Sequence, residues 1–126
     1  MTDSIILIVV ASNATRHMLN YAEAAAERAL ENEWQVMALP DCPAELIPMI
    51  TMVATSEDAI AADETAMELC DKVLLIGHDE RIQAMYEYLL TLWDKEIWLV
   101  TFDGKRHHTM HRVTEAKPHP QTIRMF

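Results

Sequence analysis

Three largely apolar runs decide most of what this chain can become. IILIVVA (5–11), KVLLIGH (72–78) and EIWLVTF (96–102) are rich in aliphatic and β-branched residues. Runs of that kind, without strict alternation, suit strands covered on both faces. Helical patterns lie between them. RHMLNYAEAAAERALENE (16–33) places Leu19, Ala22, Ala26 and Leu30 at helical spacing. TSEDAIAADETAMELC (55–70) reads as a helix capped by Thr55 or Ser56, with Glu57 and Asp58 in its first turn. Residues 79–94 read as a third helix, and WQVMALP (34–40) as a short strand stopped by Pro40. Strands alternating with helices predict an α/β fold: one Rossmann-like or flavodoxin-like domain with a mainly parallel sheet flanked by helices. Ligands of such sheets bind at the carboxyl ends of the strands. The loops to watch are therefore ASNAT, the region from Pro40, GHDER and TFDGK, which makes Ser12, Asn13 and Asp79 candidate ligand contacts.

Two segments are harder to place. AELIPMITMVA (44–54) is apolar but holds Pro48, and is expected to form a short helix and then a second helical start. After Asp103-Gly104 the pattern fades. The domain is assigned to residues 1–103, and 104–126 to a basic, histidine-rich extension of it, with one short strand at RVTEA (112–116) and an irregular tail.

Charge divides the chain in the same place. Residues 1–103 hold 19 acids and 5 bases, while 104–126 hold 1 acid, 5 bases and four histidines. The net charge is −10. An acidic body repels a polyanion, so nucleic acid is not an expected partner. A small nucleoside or nucleotide in a pocket remains compatible with it. No apolar run reaches the ~18 residues of a membrane span, and the opening MTDSIILIVVASN has an acid and no basic region ahead of its apolar stretch. It reads as a first strand and not a signal peptide. Cys42 and Cys70 form neither a disulfide framework nor a zinc pattern, which fits two thiols in a reducing cytoplasm.

Most chemical motifs can be set aside. Gly77 and Gly104 are the only glycines, so no dinucleotide fingerprint or P-loop can be written. The segment Ser12–Thr15 could meet a phosphate at a helix start, though capping alone accounts for it. Strand one ends without the paired acids a phosphorylation-relay receiver needs. His107, His108 and His111 would meet one metal ion only on a helix, and their segment has no helical pattern, so no metal is expected. A carboxylate pair is the favoured centre. Cleavage of an N-glycosidic bond needs one carboxylate at the anomeric carbon and a second group to protonate the leaving base. Asp63 and Glu87, on the helices either side of strand 72–78, are the candidates. Periodicity alone also allows Glu87 to be a solvated residue, among Glu80, Gln83, Thr91 and Asp94.

Two spacings in one frame carry a resemblance. Asp63 stands eight residues before Asp71, which opens a buried strand, and Glu87 stands eight residues before Lys95, which precedes the next. In this the chain resembles the nucleoside 2-deoxyribosyltransferase-like superfamily, which includes deoxynucleoside-monophosphate N-glycosidases, over about residues 5–102. The resemblance implies that Glu87 is the nucleophile, that Asp63 handles the base and its proton, that Asp71 is structural and that Tyr21 faces the sugar. It implies no cofactor, and a homo-oligomer. Arg81 stands where the family carries a small residue or Asp, and a guanidinium there could hold phosphate. Two other readings stay open: a nucleotide-binding module without turnover, and a small acidic interaction protein.

Overall fold

The computed structural model describes residues 4–55 and 58–115. Strand β1 (Ile5–Val10) runs through Ala11–Thr15 into helix α1 (Arg16–Glu31). The Thr15 hydroxyl caps α1 by accepting from the Met18 N–H at 3.4 Å. Strand β2 (Gln35–Ala38) follows, then a 3-10 helical segment (Ala44–Met49) and strand β3 (Met52–Val53). Helix α2 (Ala59–Leu69), strand β4 (Lys72–Ile76), helix α3 (Glu80–Leu89) and strands β5 (Glu96–Asp103) and β6 (Arg106–Val113) complete the order.

The sheet has six strands in the order β3-β2-β1-β4-β5-β6. All neighbours pair in parallel except β5 and β6, which form an antiparallel hairpin. This is the α/β architecture that the alternating runs predict, with the Rossmann-type strand order about the central β1. No described helix is long and apolar enough to cross a membrane.

Alternation along the strands splits the core in two. Leu7, Val9, Val73, Leu75 and Ile97 face α2 and α3, with Ala66, Met67, Ile82, Met85 and Leu89 against them. Ile6, Ile8, Leu74, Ile76 and Val100 face the other way. There α1 lays Ala22, Ala26 and Ala29 on β1 and β2 beside the 3-10 segment. Alanine at those three positions brings the helix backbone close to the sheet.

Three expectations are corrected. The second helical start in 41–54 is instead β3, whose two residues pair with Met37 and Ala38. Pro48 sits inside the 3-10 segment, and the backbone is extended from Ile50 onward. The cap of α2 is Asp58, which accepts from the Ile60 N–H at 3.3 Å. Thr55 precedes the helix, and Ser56 and Glu57 lie outside the described residues. The last strand is not the short RVTEA (112–116) but the longer edge strand β6, which starts earlier and is paired from Asp103↔Arg106 to Glu96↔Val113. The chain then closes back, Thr114 N–H donating to the Lys95 carbonyl at 2.8 Å. Of RVTEA, Ala116 falls outside the described residues, as do the remaining residues to 126.

Candidate functional site

The strand ends come first, because parallel sheets put their ligands there. Ser12 and Asn13 follow β1, and Gly77, His78 and Asp79 follow β4. Asp79 latches the two loops together. Its Oδ2 accepts from the Ser12 N–H at 3.0 Å and the Ser12 hydroxyl at 3.2 Å, and its Oδ1 caps α3 at the Ile82 N–H at 2.8 Å. Partial burial pushes the Asp79 carboxyl up, and the donors of Ile82, Ser12 and Arg81 together outweigh it, so the group sits below the ordinary aspartate range. Gly77 makes the close approach possible: its φ is +103°, and a Cβ there would stand 2.6 Å from the Ala11 Cβ.

Beside this latch lies a clamp. Arg81 donates Nε to Asp63 Oδ2 at 3.0 Å and Nη2 to Asp63 Oδ1 at 2.7 Å. Its Nη1 reaches Asp41 Oδ2 at 2.6 Å. One guanidinium thus ties the loop after β2, helix α2 and the start of α3 together. The Asp63 hydrogen bonds, then burial acting against them, then Asp41 leave the guanidinium held more firmly in its charged form than an ordinary arginine. Asp63 is 9 % exposed, the one acid the fold buries among the described residues. Both its oxygens accept from Arg81, so a ligand reaching Asp63 would have to share or displace that ion pair. The same geometry commits Arg81 to carboxylates in place of a phosphate.

Glu87 is elsewhere. It lies eight residues beyond the Asp79 cap, roughly 12 Å down α3 at ~1.5 Å per residue and away from the strand carboxyl ends. It is exposed and accepts from the Gln83 amide at 2.9 Å. Tyr21 is on the other side of the sheet, packed with the α1 face of the core, whereas Asp63 and Glu87 ride on α2 and α3. The structure joins Ser12 to Asp79 and Arg81 to Asp63. It does not gather Glu87, Asp63 and Tyr21 around one point. Asp71 is structural in position: its Oδ2 lies 3.3 Å from the Ile5 nitrogen, which donates to it. Lys95 caps α2, its ammonium donating to the carbonyls of Glu68 at 2.6 Å and Cys70 at 2.8 Å.

A concavity lies on the α1 face. Helices α2 and α3 share one layer and α1 sits mainly on β1 and β2; on the same face of β4 and β5, Leu74, Ile76 and Val100 are buried, while Lys72, Glu96, Trp98 and Phe102 are partly exposed. Near the carboxyl end it carries a cluster of rings, Tyr21 with Phe102 at 6.0 Å and with His107 at 5.1 Å. Toward the amino ends it opens into a groove of about 580 Å³, lined by Tyr21, Trp34, Lys72, Leu74, Glu96 and Trp98. Glu96 is its hub. The carboxylate accepts from Trp98 Nε1 at 2.9 Å, lies 3.1 Å from His111 Nε2, and meets Lys72 Nζ at 3.8 Å. His111 stacks on Trp98 at 3.8 Å, and the Lys72 ammonium stands 3.7 Å over Trp34.

These contacts also account for the histidines. On a strand, His107 and His111 share one face and His108 takes the other. They cannot converge on one ion, and no group of three or more His, Cys, Asp or Glu is arranged for a metal among the described residues. The groove was not legible beforehand. Trp34, Trp98 and His111 are spread over three elements, and only strand order makes them neighbours. No protein-family model, curated protein or solved structure matches the chain.

Proposed function

We propose that this domain is a protein-interaction module that works through the groove between α1 and the amino ends of β4 and β5. One observation carries the reading: among the described residues no helix is seated over the amino ends of β4 and β5 beside α1, and the groove there is lined by the half-buried rings of Trp34, Trp98 and Tyr21. The polar centre of the groove is already satisfied, since Glu96 holds Trp98, His111 and Lys72. A small-molecule site needs convergent polar groups free for its ligand. What this groove offers is aromatic and aliphatic surface within a charged rim, the make-up of a protein interface. A benzophenone amino acid in place of Ala24, which is exposed at the groove edge, tests this. Irradiation in cells is expected to give a protein adduct from position 24 and none from Thr65, exposed on α2. Absence of any adduct from position 24 would sink the reading.

A second reading is a nucleoside or nucleotide 2-deoxyribosyltransferase or N-glycosidase, as the resemblance implies. What supports it is Asp63, a buried acid beside the strand ends. Deoxynucleosides and their monophosphates, with and without a second free base, would be incubated with the chain and with Asp63→Asn and Glu87→Ala. Base released or exchanged by the parent and lost in both variants would carry it. Binding in a calorimeter without turnover would leave a nucleotide-binding module, and neither result would end both versions.

A further inference from the structure

We infer that the outer edge of β6 receives an extended, acidic segment of another protein as a seventh strand of the sheet. The inference goes beyond the groove reading and does not depend on it.

The backbone is the first reason. β6 stands at the end of the strand order and pairs with β5 alone. Its register runs unbroken from Asp103↔Arg106 to Glu96↔Val113. In an antiparallel pair, alternate residues exchange both bonds with the neighbouring strand, and those between them turn theirs outward. The Thr114 N–H on the Lys95 carbonyl fixes the phase. Arg106, His108, Met110 and Arg112 therefore bond to β5, while His107, Thr109, His111 and Val113 present N–H and C=O groups to the outside. Among the described residues nothing bonds to that outward ladder. Edges that stay solitary are commonly very short, bulged or broken by proline. β6 is eight residues long, without bulge or proline.

Charge is the second reason, and it selects the partner. The turn and strand from Lys105 to Val113 hold three bases and three histidines and no acid. Residues 1–103 hold 19 acids and 5 bases, so β6 is a basic strip on an acidic body. Lys105, Arg106 and Arg112 form no ion pair among the described residues. A second β6 laid alongside would set like charges opposite one another, which destabilises a strand pair, and an acidic strand would set opposite ones. A nucleic acid has no matching ladder of N–H and C=O groups, and the acidic body repels it.

Apolar surface is the third. Met110 and Val113 are exposed on β6. Val113 and Arg112 border a hollow of about 300 Å³ together with Leu90 and Trp93, which are exposed as well. Glu115 at its rim disfavours an acid there, so the segment is acidic along β6 and apolar at this end. Strand addition draws affinity from main-chain bonds and specificity from pockets beside them.

The experiment uses the full chain and a fluorescent synthetic peptide of eight residues, the length of β6, alternating Glu and Val and ending in Leu. Anisotropy reads affinity, and NMR reads amide exchange in the nitrogen-15-labelled chain. Saturation is expected to slow exchange at His107, Thr109, His111 and Val113 by at least about ten-fold. The same peptide with Lys for Glu is expected to bind at least about ten-fold more weakly. Thr109→Pro removes an outward N–H and leaves the β5 ladder whole, since an edge strand tolerates proline on its solvent side. It is expected to weaken binding by at least about ten-fold. Arg106→Glu keeps every backbone donor, is expected to weaken binding as well, and serves alone if circular dichroism shows Thr109→Pro unfolded. No binding of the Glu peptide would overturn the inference. So would binding that leaves the four amides exchanging freely, or that neither variant weakens. A heparin oligosaccharide displacing the peptide at equal affinity would overturn it too, in favour of a polyanion site. Each of these failures leaves the cross-linking test at position 24 undecided by it.

Discussion

At the scale of single residues, Asp79 carries the clearest consequence. It joins β1 to β4 through Ser12 and caps α3 through Ile82. Its folded carboxyl is held below its ordinary value. A group depressed in this way contributes stability that is complete above the unfolded value of about 3.9 and is lost as pH falls toward the folded one. Asp79→Asn is therefore expected to lower stability at neutral pH and to flatten the acid limb of the stability profile below about pH 4. Urea midpoints between pH 2.5 and 7 would show it, and parallel curves for the two proteins would contradict the assignment. Cys70 illustrates the opposite case. Burial, eased by Lys95 and reinforced by Asp71, pushes its thiol up to about 12, which suits a packed core group and not a reactive one.

At the scale of elements, the approach of the β1 and β4 ends depends on Gly77. An alanine there would have to hold a φ of +103° and place its Cβ 2.6 Å from that of Ala11. Neither partner can swing away, since both are Cβ atoms fixed to backbone. Gly77→Ala is expected to cost roughly 3 kcal/mol from strain and overpacking together. The denaturant midpoint would measure this, and a change under ~0.5 kcal/mol, the range of an ordinary surface substitution, would show that the loops are not held as described. The β5–β6 hairpin turns at Gly104, with φ +63°, which glycine adopts at no steric cost. An edge strand bearing Arg106, Arg112 and three histidines is guarded against pairing with its own kind by its charge.

At the scale of the whole molecule, the Arg81 clamp links three connections that are remote in sequence: Asp41, Asp63 and the start of α3. Asp63 is nearly buried, at 13 % side-chain exposure, while Arg81 keeps 35 % and Asp41 65 %, so the Asp41 arm is screened by solvent and the Asp63 arm is not. A double-mutant cycle of Arg81→Met and Asp63→Asn is expected to give a coupling of about 1–2 kcal/mol. The pair with Asp41→Asn should couple by less than about 1 kcal/mol. Equal couplings would contradict the burial difference.

The alternation of largely apolar runs with helical stretches was enough to determine the α/β class, the mainly parallel sheet and seven of the helices and strands that build it. Burial on both faces leaves that signature in any local window. β3 left none, because two residues carry no periodicity, and the polar edge strand β6 was legible only at its end, as the start of RVTEA, because neither of its faces is apolar. The Asp63–Glu87 pairing rested on their places on the helices either side of strand 72–78 and on the family resemblance. The structure separates the two because a helix leaving the end of β4 carries each later residue further from the strand ends. Asp63 found Arg81 instead, and Lys72, Trp98 and His111 met around Glu96, only once strand order had been set. Contacts between elements depend on which strands become neighbours, and that is a property of the packed sheet that no single segment encodes.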